Sequence, residues 1–392
     1  MQRGLIFCCL LALACSPGCI AKHRRPQPAP MPAPVTAPAE AKPVVPVVQH
    51  IPDAQKPPPT IGNFGYDPHP DQTKEFLRSL EAPTLRDANP QLFEADEKKP
   101  PAKKDKGEPP RTRGPPVELP PVHGTEPVFL HKALLAARPG WKVGAQGIGD
   151  CVSWGWAHAA DVSLAVDWKL GQSGQWKPAA TEAIYGGARV EGAGRPEGGG
   201  GYSDGSYGAA AAKWVNKAGG IVYREPFNEF GYDLTSYDKN RAKAWGNFGC
   251  GGKGDSGRLD KVATEHPVMQ VALVRNFAEA AAAIASGYPV PVCSGQGFSS
   301  QRDKDGFAAP SGSWSHCMCF TGVRYEPRPG LLCQNSWGPN WISGPKYPDD
   351  QPDGSFWVDE KTVNRMLAGN DSFAVSRIKG FPKRKLKHSE GW

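Results

Sequence analysis

Gln146–Trp156 reads Gln-Gly-Ile-Gly-Asp-Cys-Val-Ser-Trp-Gly-Trp, and it joins a glycine-containing turn to a long apolar run. The run, Val152–Leu170, contains no proline and is apolar on nearly all sides. A helix of that composition lies inside a core rather than on a surface. We therefore predict a buried central helix with Asp150 at its N-cap and Cys151 in its first turn.

Cys151 is a candidate nucleophile because of this position. Unpaired backbone N–H groups and the helix dipole favour the thiolate, which is the reactive form of cysteine. The amide side chain of Gln146 lies five positions upstream. Asp150 acts in the other direction, since a carboxylate that faces the sulfur raises the pKa of the thiol.

Two later stretches carry the partners that such a nucleophile needs. Ser315–Val323 reads as a strand that begins at His316, and Cys333–Gly338, Cys-Gln-Asn-Ser-Trp-Gly, reads as a short strand that ends at Asn335. Cysteine, then histidine, then asparagine is the order of a nucleophile, its base and the residue that orients the base.

Together these stretches resemble the papain-like cysteine peptidases, over roughly residues 126–377. The resemblance implies that Cys151 is the nucleophile, His316 the general base and Asn335 its orienting residue, with Gln146 in the oxyanion hole. Asn-Ser-Trp-Gly is the most specific match. The chain departs from the family at the nucleophile, where Gln and Cys are five rather than six apart and Val152 replaces the usual tryptophan.

The resemblance also implies substrate-binding residues. Gly205 and Ser206 fall where the family has a glycine-rich segment whose backbone pairs with extended substrate. Trp337 is the third expected contact, and it would shield the hydrogen bond between the base and its orienting residue. Glu197–Gly208 has two other interpretations, a mobile surface loop and a phosphate loop, although it lacks the Gly-Lys-Ser/Thr ending of the latter.

The order of elements indicates an α+β chain, because helices come first and strands later. The resemblance implies a papain-like fold of two halves. A helical half would carry Cys151, a β-barrel half would carry His316 and Asn335, and the active cleft would lie between them. A disordered Pro-rich segment would precede this domain.

Four regions are predicted along the chain. Residues 1–19 form a signal peptide, because Met1–Ala14 is apolar but too short to span a bilayer. A cysteine at the cleavage point is what bacterial lipoproteins carry, so Cys15 and Cys19 are candidate sites of a lipid anchor in the cell envelope; without the anchor the protein would be secreted.

Residues 20–125 are predicted to be a disordered linker, since 25 of the 41 prolines precede residue 126. Within it only Gln72–Leu92 indicates helix, as a short propeptide element. The peptidase domain is expected at 126–378 and a solubilising basic tail at 379–392. A net charge of +7 with a basic tail favours anionic surfaces over nucleic acid as partners.

The cysteines outside the signal region leave three interpretations open. These six are Cys151, Cys250, Cys293, Cys317, Cys319 and Cys333. A zinc site from the last four is disfavoured by the Cys-x-Cys spacing within a strand. A disulfide involving Cys293 or Cys333 fits an oxidising compartment, and small buried apolar residues are the third interpretation. No metal or cofactor is predicted.

The functional prediction is an exported cysteine endopeptidase that hydrolyses peptide bonds through a thioester acyl-enzyme. One alternative is an inactive papain-like fold that binds peptides or envelope proteins, and another is a cell-wall amidase. His158 is a further candidate base. It lies seven residues, or about 10 Å, along the helix from Cys151, too far for direct proton transfer.

Overall fold

The computed structural model describes residues 61–94, 126–198, 204–254 and 259–392. All of them belong to one unit, Pro52–Trp392. The predicted signal peptide with Cys15 and Cys19 lies outside the described residues, as do residues 20–60 and 95–125 of the predicted linker.

The helices are mostly short, and two of them, α5 and α6, continue into a π-helical turn. Their bounds are α1 Pro70–Arg78, α2 Leu85–Ala88, α3 His131–Ala137, α4 Cys151–Lys169, α5 Thr181–Gly187, α6 Gly208–Lys213, α7 Lys239–Phe248, α8 Asp260–Thr264, α9 Phe277–Ala285 and α10 Glu360–Leu367.

The strands lie mainly in the second half of the chain, as the sequence predicts. Their bounds are β1 Ile61–Asn63, β2 Val128–Phe129, β3 Pro226–Phe227, β4 Tyr232–Asp233, β5 Gln270–Leu273, β6 Val290–Arg302, β7 Ala308–Arg324, β8 Gly330–Gln334, β9 Ser355–Asp359 and β10 Phe373–Ser376.

One sheet is built around the long strand β7. Its order is β1-β7-β8-β9, and β2 and β6 also pair with β7. All these pairings are antiparallel except β1 with β7, which is parallel. The α+β class is confirmed. The sheet is open, however, and the described strands do not close into the expected barrel.

Helix α4 is the buried central helix that the sequence predicts. Every residue from Cys151 to Asp167 is buried. Gly155 lets α4 approach β7, because a Cβ there would lie 2.8 Å from the Met318 carbonyl oxygen and 2.9 Å from the Cys317 sulfur. This close approach brings the start of the helix next to the strand that carries His316.

Residues 61–94 are folded, which corrects the predicted disordered linker. β1 joins the central sheet, and Leu85 and Leu92 are fully buried. Phe76 of α1 packs against Phe373, with ring centroids 6.0 Å apart. Three apolar anchors and one strand are enough to hold a segment whose overall composition is poor in apolar residues. The domain therefore includes this segment and does not begin at 126.

The C-terminal residues 379–392 also pack onto the domain, so they are not a frayed basic tail. Phe381 and Trp392 are buried. Lys169 lies over the Trp392 ring at 4.2 Å, and Arg384 forms an ion pair of 2.5 Å with Asp167. Two aromatic anchors and one buried carboxylate account for this docking, in spite of the basic residues around them.

None of the helices in the described residues is both long enough and apolar enough to cross a bilayer.

Replacing Leu85 tests whether the N-terminal segment belongs to the fold. Leu85→Ala should lower the free energy of unfolding by about 2–5 kcal/mol, because it leaves a cavity at a fully buried position. The measurement is urea unfolding of the full chain. Leu77→Ala, at a partly buried position of α1, should cost less, and equal unfolding curves for Leu85→Ala and the wild type would contradict the observed packing.

Candidate active site

Cys151 is the first residue of α4 and is completely buried. Asp150 occupies the N-cap position but makes no capping bond. Its carboxylate instead accepts a hydrogen bond of 2.8 Å from the Tyr237 hydroxyl, and that hydroxyl also accepts the backbone N–H of Gly147 at 3.1 Å. Tyr237 thus braces the turn that leads into the cysteine.

His316 is held by Asn335, and the contacts fix which ring nitrogen is protonated. The Nε2 atom of His316 lies 2.7 Å from the Asn335 Oδ1 atom. The same Oδ1 accepts the backbone N–H of Ser336 at 2.7 Å, so it is an oxygen acceptor and Nε2 must donate. In the neutral ring Nδ1 then carries the lone pair. Nδ1 is buried and has no hydrogen-bond partner in the described part of the chain.

Aromatic rings enclose the histidine. Trp337 stacks on His316 with 4.7 Å between ring centroids and 24° between planes. Trp314 and Phe64 meet the imidazole edge-on, at 6.3 and 5.4 Å. Trp337 therefore covers one face of the His316 ring, and its role as a shield of the His316–Asn335 hydrogen bond stays a prediction.

The Gln146 amide is fixed by the segment that follows Asn335. The Gln146 backbone N–H donates to the Ser336 carbonyl at 2.8 Å, and the Ser336 hydroxyl donates to Gln146 Oε1 at 2.7 Å. Its Nε2 atom donates to the Ile148 and Phe64 carbonyl oxygens at 2.9 and 3.0 Å. Ala145 also forms a β-bridge with Trp337. The glutamine and the asparagine therefore belong to one hydrogen-bonded unit, in spite of the five-residue spacing from Cys151.

Of the two predicted substrate-binding residues, only Ser206 binds an extended strand through its backbone, whereas the backbone groups of Gly205 bind side chains. The Gly205 N–H donates to the Tyr185 hydroxyl at 3.2 Å, and its carbonyl accepts the Arg189 guanidinium at 2.6 Å. The Ser206 N–H donates to the Gly65 carbonyl at 2.9 Å, and the Ser206 carbonyl accepts the Asp67 N–H at 2.8 Å.

The strand that Ser206 binds is part of the same chain, and we call Ile61–Asp67 the cover segment. Its first residues pair with Ser313–Ser315 of β7, and its last residues pair with Ser206. Between these two anchors it brings the Phe64 carbonyl to the Gln146 amide. The segment thus crosses from the strand that leads into His316 to the predicted substrate-binding loop.

Gly65 allows the cover segment to lie directly on the turn before Cys151. Its φ of +111° is in the region that favours glycine. A Cβ at this position would lie 2.1 Å from the Gly149 carbonyl oxygen, which is closer than atoms can approach. No other residue fits here without lifting the segment.

Burial sets the charge state of the site. It raises the pKa of the Cys151 thiol well above its ordinary value, with nearby Cys293 adding to the effect and the Cys317 backbone N–H opposing it. Burial lowers the pKa of His316 to about 4, against the opposing hydrogen bond to Asn335. At neutral pH the covered site therefore holds a thiol and a neutral imidazole rather than an ion pair.

Cys151 lies at the end of α4 that approaches the histidine strand, since a Cβ on Gly155, one turn along the helix, would lie 2.9 Å from the sulfur of Cys317, the residue after His316. Cys151 and His316 are both described, and no hydrogen bond joins them to each other. His158 is separate from this arrangement. It lies between Trp141 and Trp154 at 5.9 Å from each ring, and burial lowers its pKa to about 4.

The sequence predictions missed the cover segment and two supports of the site. Phe64 and Gly65 belong to Gly-Asn-Phe-Gly-Tyr, whose two aromatic residues stand out within an aromatic-poor stretch and could have served as a signal. Ser336 lies within the recognised Asn-Ser-Trp-Gly motif, but its hydroxyl contact to Gln146 depends on the fold. Tyr237 carries no sequence signal for its role.

The described residues contain no group of three or more His, Cys, Asp or Glu side chains arranged to hold a metal ion.

No profile of a known protein family matches the sequence, and no curated protein matches it. Among solved structures the chain is similar to xylellain, a cysteine protease from Xylella fastidiosa, with 18% identity, a TM-score of 0.43 and coverage of 64% of this chain and 86% of that chain. It is also similar to the ragweed pollen allergen Amb a 11, a cysteine protease in its proform, with 17% identity, a TM-score of 0.39 and coverage of 64% and 65%.

A third similar structure is digestive procathepsin L 3 of Tenebrio molitor larval midgut, with 12% identity, a TM-score of 0.40 and coverage of 78% and 79%. With identities of 12–18% and TM-scores of 0.39–0.43, the roles of the site residues rest on their own contacts.

Gly65→Ala should uncover the site. Forcing a Cβ into a filled position costs typically about 1–3 kcal/mol, and each 1.4 kcal/mol raises the open fraction about tenfold. We expect Cys151 to be alkylated by iodoacetamide about tenfold faster or more, as measured by peptide mass spectrometry under native conditions.

Gly140→Ala is the matched control for this prediction. Gly140 also has a positive φ, +77°, but nothing lies within 4 Å of its Cβ position. Its variant should react with iodoacetamide at the wild-type rate. Equal rates for Gly65→Ala and Gly140→Ala would show that the cover segment does not limit access to Cys151.

Proposed function

We propose that the protein is a cysteine peptidase that is held inactive by its cover segment. The proposal rests on one contact: the Gln146 amide donates a hydrogen bond to the backbone carbonyl of Phe64. Phe64 belongs to an extended segment that pairs with β7 at one end and with Ser206 at the other. A groove that binds an extended peptide and directs one carbonyl at an amide donor has the arrangement required for acyl transfer.

The proposed reaction begins with proton transfer from the Cys151 thiol to Nδ1 of His316. The thiolate attacks the carbonyl carbon of the substrate peptide bond, and the oxyanion accepts hydrogen bonds from Gln146 Nε2 and the Cys151 backbone N–H. His316 then gives the proton to the leaving amine. Water attacks the resulting thioester with His316 as its base, and the free carboxylic acid leaves.

Asn335 acts in this scheme by holding the histidine tautomer. With Nε2–H directed at Oδ1 of Asn335, the lone pair of Nδ1 is free to take a proton. Ser336 is a positioning residue, since it donates its N–H to Asn335 and its hydroxyl to Gln146. One short segment thus positions both the base and the oxyanion donor.

The cover segment would prevent the reaction in two ways. It fills the groove and uses the donor atom of Gln146 for the Phe64 carbonyl. Its Phe64 side chain also packs against the imidazole of His316 and so adds to the burial that favours the neutral ring. Removal or displacement of residues 61–67 would admit water and substrate, and both effects would be lost together.

The second candidate is a peptide-binding module that no longer cleaves. The neutral Cys151–His316 pair favours it, as does the missing hydrogen bond between the two. The cover segment accounts for both observations in a chain that still carries the catalytic side chains, so we favour the peptidase.

We also retain the predictions that the substrate is a protein or peptide and that the enzyme is exported, with Cys15 or Cys19 as a candidate lipid anchor. Export rests on the signal-like sequence of residues 1–19. The cell-wall amidase is the competing assignment of substrate, and parallel assays with a protein and a wall fragment distinguish the two.

Activity of the uncovered enzyme tests the proposal. In a Gly65→Ala background, Cys151→Ala should lower the rate of peptide hydrolysis by several orders of magnitude. Asn335→Ala should lower kcat by about 10²-fold, because the imidazole loses its fixed orientation. Asn216→Ala, which alters a remote asparagine bonded to the Val268 carbonyl, should leave kcat unchanged. Hydrolysis that persists in the folded Cys151→Ala protein would exclude Cys151 as the nucleophile.

A further inference from the structure

Two cysteines outside the proposed reaction face each other across β6 and β7. Cys293 and Cys317 are directly opposite in the register of the two strands. Both are buried, and their sulfur atoms are 2.8 Å apart. That separation is shorter than two unbonded thiols normally keep, so the backbone directs the two side chains at one point.

The backbone around the pair has the geometry that a disulfide needs. The Cys293 N–H donates to the Ser372 hydroxyl at 3.1 Å and not to the opposite strand. A hydrogen-bonded pair of an antiparallel ladder exchanges both N–H groups, so Cys293 and Cys317 form a non-hydrogen-bonded pair, in which Cα atoms lie about 4.5 Å apart. Disulfides span Cα separations of about 4.4–6.8 Å.

We propose that Cys293 and Cys317 form a disulfide bond when the protein folds in an oxidising environment. The oxidant is a low-molecular-weight disulfide such as oxidised glutathione. One cysteine thiolate attacks it and releases the first small thiolate, and the second cysteine thiolate then attacks the mixed disulfide and releases another. The protein loses two protons and two electrons, and the small disulfide is reduced to two thiols.

The other cysteines near the sheet do not offer an equivalent pair. Cys319 lies opposite Gln334 and Cys333 lies opposite Phe320, so these two cysteines are offset. The sulfur of Cys333 faces that of Met318 at 3.7 Å. Cys151 is the alternative disulfide partner of Cys293, since its thiol also lies close to Cys293.

The bond would have two consequences for the candidate site. It would tie β7 to β6 at the residue that follows His316, which fixes the strand on which the base lies. It would also consume the two thiols next to Cys151 and leave the nucleophile as the free thiol of this cluster. Because burial disfavours the thiolates of Cys293 and Cys317 in the folded state, exchange is expected during folding, and the finished bond is protected from reductants.

Disulfide mapping of the full chain tests the proposal. The protein is expressed in an oxidising and in a reducing compartment, alkylated with N-ethylmaleimide in denaturant, and digested without reductant. We expect a linked peptide pair that contains Cys293 and Cys317 from the oxidising compartment only, with a mass lower by two hydrogens than the unlinked pair, and an alkylated Cys151. Alkylated Cys293 and Cys317 in that sample, or a linkage of either to Cys151, would overturn the proposal.

Two variants add a stability readout. Wild type and Cys333→Ala should melt several degrees higher in the oxidised than in the reduced form, because the cross-link restricts the unfolded chain. Cys293→Ala should melt at the same temperature in both forms and should leave Cys317 open to alkylation. A redox-dependent melting temperature in folded Cys293→Ala would assign the effect to another pair, and the mapping of the wild-type chain decides the proposal even if a variant does not fold.

Discussion

The candidate site depends on the hydrogen bond between His316 Nε2 and Asn335 Oδ1, at 2.7 Å. The Ser336 N–H holds the same oxygen in place, so the imidazole has one tautomer and one orientation. Ser336 also fixes Gln146 through its hydroxyl. The candidate base and the candidate oxyanion donor therefore share a support of two consecutive residues at the end of β8, while α4 brings Cys151 to the neighbouring strand β7.

The charge state of the site follows from a balance between burial and attraction. Lowering the pKa of His316 from 6.5 to about 4 disfavours the imidazolium by about 3 kcal/mol. A thiolate about 4 Å from the imidazolium would stabilise it by about 4 kcal/mol at the effective dielectric constant found near a protein surface. Because burial also raises the pKa of the Cys151 thiol, this attraction does not offset both costs in the covered site, and entry of solvent, which lowers both, would favour the ion pair. In the proposed mechanism the cover segment controls the entry of solvent, which would link its presence to the protonation of both groups.

Much of the site was predictable because its residues carry strong local signals. The apolar run after Cys151 gives α4 to within one residue, and the Asn-Ser-Trp-Gly motif places Asn335 directly after β8. β7 begins at Ala308, earlier than predicted. The sequence did not indicate this part of the strand, because residues 309–313 are exposed and show no apolar alternation. Their strand conformation comes from pairing with β6.

The cover segment could not be predicted in the same way. It is held by backbone bonds to Ser206 and Ser315 and by the absence of a side chain at Gly65, and none of these produces a hydrophobic period. The docking of the C-terminal residues likewise depends on isolated aromatic anchors, Phe381 and Trp392. Composition alone favoured disorder for the first region and a frayed end for the second.

The central claim is that Cys151 and His316 form an ion pair once the cover segment is displaced. The most direct measurement is the pH profile of Cys151 alkylation in Gly65→Ala protein, with and without His316→Ala. The account predicts substantial reactivity well below the ordinary cysteine pKa of about 8.5, and loss of that acidic limb in the His316→Ala protein. A single step near or above about 8.5 in both proteins would contradict it and leave Cys151 as an ordinary thiol.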